Sequence, residues 1–402
     1  MRASRRRFLK SMAALPAVAP AMAEAKAGPG SLPVQAPPRD VYKELGIRPL
    51  LNAAGTYTYL SASLMPAPVR EAIESASKHY VNLNELHAAV GKKIAALLGC
   101  EAALVTAGAA SALTMGTAAC VAGKDAEKIK RLPDTTGMKN EVIIPKEHRN
   151  GYDHAVRNVG VRLIEVETAA DVDRVAGERT AMMLYFNHHG PEGKIPVEEF
   201  AALAKKHGVP SLVDAAADIP PIENYSRFLK MGYDLAVFSG GKVLRGPQCS
   251  GMLLGRRDLI AAAAANNNPQ TDAIGRTNKV GKEEIVGLWA ALEHFLRQDP
   301  AALWKEWEGR CATIAASVSK FPGVKTEVFV PLINNAVPHL KVTWDGKALG
   351  LRPDEAVKGL RDGEPRIEIR ATLPDGLEIG VWMLEAGEAE VVGRRLVEVL
   401  RK

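Results

Sequence analysis

Short apolar runs alternate with amphipathic segments over the first three quarters of the chain. The apolar runs predict buried strands, one that begins at residue 102 and others at residues 141–145, 161–166, 181–186, 211–214 and 235–238. Segments with a helical apolar period lie between them and predict helices at residues 68–79, 85–98, 197–207 and 284–296, and one that ends near residue 121. This alternation predicts an α/β domain with a mostly parallel sheet that helices cover on both faces.

The pattern changes near residue 301. A helix over residues 301–320 precedes alternating strands near residues 324–330, 336–344 and 366–371, and a last helix covers residues 388–400. These elements predict a small α+β domain. Because 402 residues exceed the usual size of one core, we expect an arm at residues 24–60, a large domain at residues 61–297 and a small domain at residues 298–402.

The first 23 residues predict an export signal instead of a part of the fold. The string SRRRFLK at residues 4–10 precedes an apolar segment, and Ala21, Met22 and Ala23 form the small-x-small pattern that a signal peptidase cuts after. We expect export of the folded protein by the twin-arginine route and a periplasmic location. The alternative is a basic N-terminal tail. No run of apolar residues is long enough to predict a membrane span.

The net charge changes once this segment is set aside. The whole chain carries +6, but residues 1–23 hold five basic residues and no acidic one, so the remainder carries +1. The basic excess therefore does not indicate nucleic-acid binding.

Four scattered cysteines form no C-x-x-C pair, so we expect buried thiols and no metal site.

A lysine and an aspartate stand at the ends of two predicted strands. Lys242 follows an apolar run, Ser239 and two glycines, and Asp214 ends the preceding run. A buried lysine is costly unless it is paired or does chemistry. An enzyme that uses pyridoxal phosphate (PLP) needs both groups, because the lysine forms a Schiff base and the acid keeps the pyridinium nitrogen protonated. Ala215, Ala216 and Ala217 leave room for a flat ring.

Other candidate ligands of PLP lie at further strand ends. The free N–H groups of a helix that starts after the first strand predict an anion site at Gly108, Ala109, Ala110 and Ser111. Close helix packing also explains small residues there. His148 follows the strand at residues 141–145, and we expect its ring over the pyridine ring; the alternative is an exposed loop histidine. Asn187 follows the strand at residues 181–186, where its amide can reach the cofactor hydroxyl.

Two residues are candidates for contacts with the substrate. Arg370 lies next to a strand end of the small domain, where a guanidinium can hold a carboxylate with two hydrogen bonds. The alternative for Arg370 is a solvated surface charge. Asn52 lies where an apolar run turns small and polar, which predicts either a position near the ligand or a bend in an entry strand.

Several stretches resemble PLP enzymes of fold type I, the aspartate aminotransferase fold. They are LNAAG at 51–55, TAGAA at 106–110, VDAAA at 213–217, FSGGK at 238–242, GPQ at 246–248, IGR at 274–276 and KVGKE at 279–283. More narrowly, they resemble the branch that holds selenocysteine synthase (seryl-tRNA selenium transferase) and D-glucosaminate-6-phosphate ammonia-lyase. The resemblance runs from about residue 42 to the C-terminus and is closest to the ammonia-lyase.

The resemblance implies roles for residues at matching positions. It implies Lys242 as the Schiff-base lysine and Asp214 as the partner of the pyridinium nitrogen. Ser239 and the loop that starts at Gly108 would bind the cofactor phosphate, and His148 would stack on the ring.

The resemblance also implies an active site at a subunit interface. We therefore expect a homodimer or a higher homo-oligomer, in which Arg276 reaches a neighbouring subunit's site. The chain differs from these relatives in two features that bear on the substrate. Export is foreign to both named relatives, and the selenium enzyme's N-terminal tRNA-binding region has no counterpart in the short arm. Fold and cofactor are therefore expected to carry over, whereas the substrate is not.

The leading hypothesis for function is a PLP-dependent lyase that acts on an amino acid or an amino sugar acid. It would eliminate the 3-hydroxyl of a 2-amino-3-hydroxy acid and give a 2-keto acid and ammonia. Aldolase, racemase, aminotransferase or selenium transferase-like chemistry uses the same lysine and acid, so the sequence leaves these alternatives open. A further alternative is an exported binding protein that keeps the fold without catalysis.

Overall fold

The computed structural model describes residues 39–401, except for the side chain of Glu192. The chain divides into a unit that ends at Pro49 and a unit that begins at Leu50. In the first unit, the short helix Val41–Glu44 is capped by Asp40, whose side chain accepts a hydrogen bond from the backbone N–H of Lys43. The predicted export signal and the start of the predicted arm lie outside the described residues.

The strands of the second unit form three sheets within the described residues. In chain order they are β1 Leu51–Asn52, β2 Ala102–Thr106, β3 Glu141–Pro145, β4 Arg162–Val166, β5 Thr180–Phe186, β6 Ser211–Asp214, β7 Leu235–Ser239, β8 Gly251–Gly255, β9 Val324–Phe329, β10 His339–Trp344, β11 Ile367–Glu368, β12 Arg370–Leu373 and β13 Gly376–Gly380.

The largest sheet has the strand order β2-β8-β7-β6-β5-β3-β4. Strands β7, β6, β5, β3 and β4 run parallel, whereas β8 is antiparallel to both of its neighbours. The prediction of a mostly parallel sheet is therefore confirmed. All seven residues of β5 are buried, as expected for a central strand that is covered on both faces. Phe186 pairs with Asp214 across β5 and β6, so these strands end at the same edge.

Helices cover both faces of this sheet and build two hydrophobic cores. The helices of the second unit are Ala67–Ser77, Leu83–Leu98, Gly108–Ala122, Ala126–Arg131, His154–Arg157, Ala169–Val175, Val197–Lys206, Asn224–Met231, Arg257–Asn266, Lys282–Leu296, Pro300–Val318, Gly346–Leu349, Pro353–Asp362 and Glu388–Leu400. Short 3₁₀ segments lie at Thr58–Leu60, Lys146–His148, Gly151–Asp153 and Asn187–Glu192. None of the helices within residues 39–401 combines the length and apolarity needed to cross a bilayer.

The C-terminal part forms a separate antiparallel sheet with the order β12-β13-β10-β9. A third core packs this sheet against the helices Pro300–Val318, Pro353–Asp362 and Glu388–Leu400. The predicted single strand at residues 366–371 is wrong, because the chain there divides between two sheets. Residues of β11 pair in parallel with β1, whereas β12 pairs with β13.

One buried histidine makes the stability of the protein depend on pH. His87 is 8% exposed, and neither ring nitrogen has a hydrogen-bond partner. Burial lowers the pKa of His87 to about 4. In the unfolded chain the imidazole takes up a proton near pH 6.5, whereas in the folded protein it does not. The contribution of His87 to the free energy of unfolding is therefore at its maximum above that pH. This contribution is lost progressively as the pH falls towards 4.

We expect His87→Leu to reduce the acid sensitivity of folding. Between pH 7 and pH 5 the wild type should lose about 2 kcal/mol of unfolding free energy through this group alone, and the variant should not. Urea unfolding of both proteins at the two pH values measures the difference. The substitution His79→Leu, at an exposed histidine, is the control and should leave the wild-type pH dependence in place. An equal pH dependence in the wild type and His87→Leu would contradict the expectation.

Candidate active site

The structure brings Lys242 and Asp214 into one charged cluster at the carboxyl edge of the large sheet. Burial raises the pKa of Asp214 to about 6, although the Lys242 ammonium and the N–H of Ala216, 2.9 Å from Asp214 Oδ1, both lower it. Burial also lowers the pKa of the Lys242 amine, against the opposing effect of Asp214 and Asp218. The two residues that the sequence analysis placed at strand ends therefore interact with each other.

A second buried carboxylate, Asp218, completes this cluster and was not predicted. It is 4% exposed, and burial raises its pKa. Asn187 Nδ2 donates to Asp218 Oδ2 at 2.8 Å, and the backbone N–H of Asn334 donates to Oδ1 at 3.3 Å. Asp218 directly follows the three alanines after Asp214, and an acid four residues after the pyridinium partner was the available signal.

Small residues form the wall between these groups. Ala215 donates its N–H to the carbonyl of Val237 at 3.0 Å, and Ser239 donates its N–H to the carbonyl of Ala216 at 3.4 Å. These bonds join the ends of β6 and β7 and place Ser239, which is half-buried, beside the alanine run. The carbonyl of Ala217 accepts from the N–H of Asn335 at 2.7 Å, so a loop of the C-terminal part lies against the same run.

The predicted anion site, residues 108–111, lies at the start of a long helix, and we call it the anion loop. The helix begins at Gly108, whose φ of +84° favours glycine. Ala107 precedes it and caps no backbone N–H with its side chain. The first turn therefore keeps free N–H groups at the positive end of the helix, where Ala109, Ala110 and Ser111 lie. Ser111 Oγ accepts a hydrogen bond from Asn278 Nδ2 at 3.2 Å.

His148 is buried, so the alternative of an exposed loop histidine is wrong. The residue is fully buried, its Nδ1 accepts from the N–H of Phe186 at 3.2 Å, and its ring lies edge-on to Tyr185 with centroids 4.3 Å apart. Burial lowers the pKa of His148 to about 3, so the ring is neutral with its proton on Nε2. That nitrogen is buried without a partner. Stacking on the cofactor stays a prediction, and it requires one face of the ring to be uncovered.

Asn187 is brought to the cluster through Asp218. Its amide nitrogen is committed to that carboxylate, and the residue is 9% exposed. Its Oδ1 is the atom that stays available for another donor. A contact with the cofactor hydroxyl stays a prediction.

Asn52 has a structural role in the turn after β1, and its contact with the substrate stays a prediction. Its Oδ1 accepts from the N–H groups of Ala54 and Gly55 at 3.1 and 3.0 Å, and its Nδ2 donates to the carbonyls of Gly55 and Ala62 at 2.9 and 3.4 Å. These four bonds use the whole hydrogen-bonding capacity of the amide. The side chain fixes a turn after β1, which corresponds to the bend that the sequence analysis kept as an alternative.

Arg370 begins β12 and has two neighbours of its own. Its guanidinium lies over the ring of Tyr57, 5.1 Å from the centroid, and 3.8 Å from Glu378 Oε1. The pair with Glu378 is too long for a bidentate bridge, so donors of Arg370 stay free for a carboxylate. The predicted contact with the substrate is compatible with this geometry and stays a prediction.

Arg276 lies in a cleft of about 870 Å³ that Lys242 and Asp214 do not line. The cleft is bordered by Ser111 and Asn278, and Arg276 is exposed. The residue is thus close to the anion loop but apart from the charged cluster of its own chain. A contact with a neighbouring subunit's site stays a prediction.

The described residues contain no group of three or more side chains that could hold a metal ion. Cys311 is buried, and Cys100 and Cys120 are half-buried, but Cys249 is exposed. The expectation of buried thiols is therefore wrong for Cys249, which lies in the turn after Lys242.

A family model described as SelA: L-seryl-tRNA selenium transferase matches residues 50–303 of the chain. This segment contains the anion loop, Asp214 and Lys242. The chain belongs to the SelA family. The family model confirms the branch of fold-type I PLP enzymes that the motifs resemble, and PLP is the expected cofactor.

Two curated relatives of this SelA-family chain are enzymes of different names. The 5'-C-glycyluridine monooxygenase-decarboxylase of a Streptomyces species is 31% identical, over 89% of this chain and 92% of that protein. The D-glucosaminate-6-phosphate ammonia lyase of Salmonella typhimurium is 28% identical, over 90% of this chain and 98% of that protein. A solved structure of a D-glucosaminate-6-phosphate ammonia-lyase aligns with a TM-score of 0.80 at 27% identity and covers 90% of this chain and 98% of the other. The aspartate aminotransferase-like fold is thereby confirmed.

The residues present fit PLP. A buried carboxylate and a buried amine with a lowered pKa form the pair that the pyridine nitrogen and the aldehyde require. The helix start at Gly108 has uncapped N–H groups for a phosphate. The three residues after Asp214 are alanines, so they bring no large side chain next to the carboxylate.

Proposed function

We propose that this protein is a PLP-dependent lyase that eliminates the 3-hydroxyl of a 2-amino-3-hydroxy acid. The observation that carries the proposal is the buried Asp214–Lys242 pair in a chain that is similar to an ammonia lyase along nearly its whole length. The substrate class is an amino acid or an amino sugar acid. The net reaction gives one 2-keto acid and one ammonia, with water lost in the elimination and regained in the hydrolysis.

Lys242 and Asp214 would hold the cofactor, with the helix start at Gly108 and Ser239 at its phosphate. Bound PLP supplies an electron sink for negative charge at the substrate's Cα. Burial of the Lys242 amine lowers its pKa, which favours the unprotonated Nζ that would accept the α-proton. Asp214 would provide a negative charge for the ring nitrogen, and Arg370 would offer donors to the substrate's carboxylate.

A panel of D- and L-2-amino-3-hydroxy acids tests this proposal. The PLP-loaded protein should release ammonia and a 2-keto acid in equal amounts from at least one member. Coupled dehydrogenase assays measure both products. A protein that binds PLP but forms no keto acid from any member would contradict elimination. Glycine with an aldehyde would instead indicate an aldolase, and an inverted centre would indicate a racemase.

The relative at 31% identity favours a second candidate function. Its name describes a monooxygenase that also decarboxylates, so the same lysine and acid would serve an amino acid that loses its carboxyl group with consumption of O₂. An oxygen electrode and carbon dioxide capture on the same panel separate the two functions. Elimination consumes no O₂ and releases no CO₂, whereas the second reaction consumes O₂ and releases CO₂.

The proposed site of action is outside the cytoplasm, in an oligomer. The arginine string at residues 4–10 and the small-x-small pattern at residues 21–23 support twin-arginine export, and the exposed Arg276 beside the anion loop supports a site shared between subunits. Cell fractionation, with a variant in which Arg5, Arg6 and Arg7 are lysines, tests the first point. Light scattering of the purified protein tests the second.

A further inference from the structure

The turn that carries Lys242 is tightly packed, so its backbone determines where the amine lies. We define the lysine turn as residues 240–250, between β7 and β8. A Cβ atom at Gly240 would lie 2.2 Å from Ser250 Oγ, and one at Gly241 would lie 2.7 Å from Gln248 Cα. The N–H of Gly246 bonds to the carbonyl of Gly240 at 2.8 Å. Small changes in this backbone therefore displace the lysine.

Arg245 adopts a strained backbone within this turn. Its φ of +57° lies in the left-handed region, which is costly for a residue with a Cβ. Its N–H donates to the carbonyl of Lys242 at 2.9 Å. Such a conformation persists only where the surroundings hold it in place, and the contacts of the Arg245 side chain are one part of those surroundings.

The guanidinium of Arg245 joins the lysine turn to two distant parts of the chain. Nε donates to the carbonyl of Leu64 at 2.7 Å, and Nη2 pairs with Glu385 Oε1 at 2.5 Å. Leu64 lies in a segment that we call the strap, residues 57–65. Glu385 lies between β13 and the last helix. The arginine therefore connects the turn with both the N-terminal and the C-terminal parts of the unit.

Two further bonds hold the strap on the lysine turn. Ser63 Oγ donates to the carbonyl of Gly241 at 2.8 Å, and Gln248 Nε2 donates to the carbonyl of Thr58 at 2.7 Å. The strap also has strained residues, since Ser61 and Ala62 have φ values of 66° and 58°. At its start lies Tyr57, whose ring contacts Arg370. The strap thus links the turn of the proposed base to the candidate carboxylate ligand.

We propose that Arg245 is a positioning residue that holds the Lys242 amine beside Asp214 and Asp218. The inference rests on the proposed role of Lys242. A purely stabilising role does not account for the arrangement. The side chains of Arg245 and Glu385 are 32% and 46% exposed, and ion pairs with that exposure add little to stability. The effect of Arg245 should therefore fall on the amine rather than on the melting temperature.

The substitution Arg245→Lys keeps the charge and loses the fork that reaches two partners at once. Arg245→Gly loses both partners, but glycine adopts the left-handed backbone without strain. An effect of this variant therefore comes from the lost side-chain contacts and not from backbone strain. The matched control is Arg310→Lys. Arg310 also bonds a carbonyl, that of Val381 at 3.1 Å, and a carboxylate, that of Glu306 at 2.5 Å, but it lies in the helix Pro300–Val318.

The reactivity of the Lys242 amine is measured without cofactor or substrate. Short pulses of acetic anhydride at a series of pH values, followed by mass spectrometry of the Lys242 peptide, give the pH midpoint of acetylation. Burial is the main cause of the lowered pKa of Lys242, so a loosened turn should let water in. Both Arg245 variants should raise the midpoint by about one pH unit, and kcat of the loaded enzyme should fall about tenfold or more.

The control Arg310→Lys should keep the wild-type midpoint and kcat. Wild-type midpoints in both Arg245 variants, or an equal rise in Arg310→Lys, would overturn the inference. If an Arg245 variant does not fold, as judged by its melting temperature, Glu385→Gln removes one partner and should raise the midpoint in the same direction. A wild-type protein without lyase activity would refute the proposed function and leave the amine titration as an independent result.

Discussion

Lys242→Ala should lose at least about 1,000-fold in turnover, because it removes the proposed proton acceptor and the attachment point of the cofactor together. The fold should survive the change. The alanine removes a cation whose burial is unfavourable, and the two buried carboxylates can take up protons instead, since burial already raises their pKa values. Initial rates on the best substrate of the panel, with melting temperatures beside them, measure the effect.

Two comparisons make this result specific. Lys194→Ala removes an exposed lysine that pairs with Glu167, and it should keep wild-type turnover. Added methylamine should restore part of the activity of Lys242→Ala, because a free amine can enter the space that the side chain vacates and accept the proton. More than a tenth of wild-type turnover in Lys242→Ala without added amine would contradict the assignment.

Asp214→Asn should weaken PLP binding and lower turnover by about 100-fold or more, because the neutral amide cannot hold the ring nitrogen protonated. The pH dependence gives a sharper test. Since burial raises the pKa of Asp214 to about 6 in the protein without cofactor, the carboxyl is protonated below that pH and must lose its proton to face a cationic ring. The wild-type affinity for PLP should therefore fall about tenfold for each pH unit below 6.

The asparagine variant should lack that pH dependence, because its side chain does not titrate. Fluorescence titration of the protein with PLP between pH 5 and pH 8 measures both curves. Asp173→Asn, which changes an aspartate at a surface ion pair, is the control and should follow the wild-type curve. Parallel curves for the wild type and Asp214→Asn would remove Asp214 from the cofactor site.

The large sheet was predictable because its strands are continuous apolar runs that end in polar residues. Where such strands are parallel and adjacent, their ends meet at one edge, and Asp214 and Lys242 were therefore expected together. The chemistry of the pair followed from residue type alone.

The same reasoning did not extend to the C-terminal part. There β13 is short and has a glycine at each end, and the division of residues 367–373 between two sheets depends on partners far away in the chain.

The residues whose structural roles the sequence analysis did not reveal act through contacts that no periodicity shows. The side chain of Asn52 bonds to backbone groups of the turn that follows it, and the sequence does not show where those groups point. The bonds of Arg245 span 181 residues to Leu64 and 140 residues to Glu385. Asp218 matters because Asn334 folds back onto it from the C-terminal part. Long-range hydrogen bonds of this kind become visible only in three dimensions.

Reductive trapping tests most directly whether the Lys242 amine meets the cofactor. The PLP-loaded protein is treated with borohydride, which fixes the cofactor to the lysine that holds it, and the digested protein is examined by mass spectrometry. We predict a phosphopyridoxyl group on Lys242 and none on the Lys242 peptide of Asp214→Asn at low PLP concentration. Trapping at another lysine, with Lys242 unmodified in the wild type, would contradict the account.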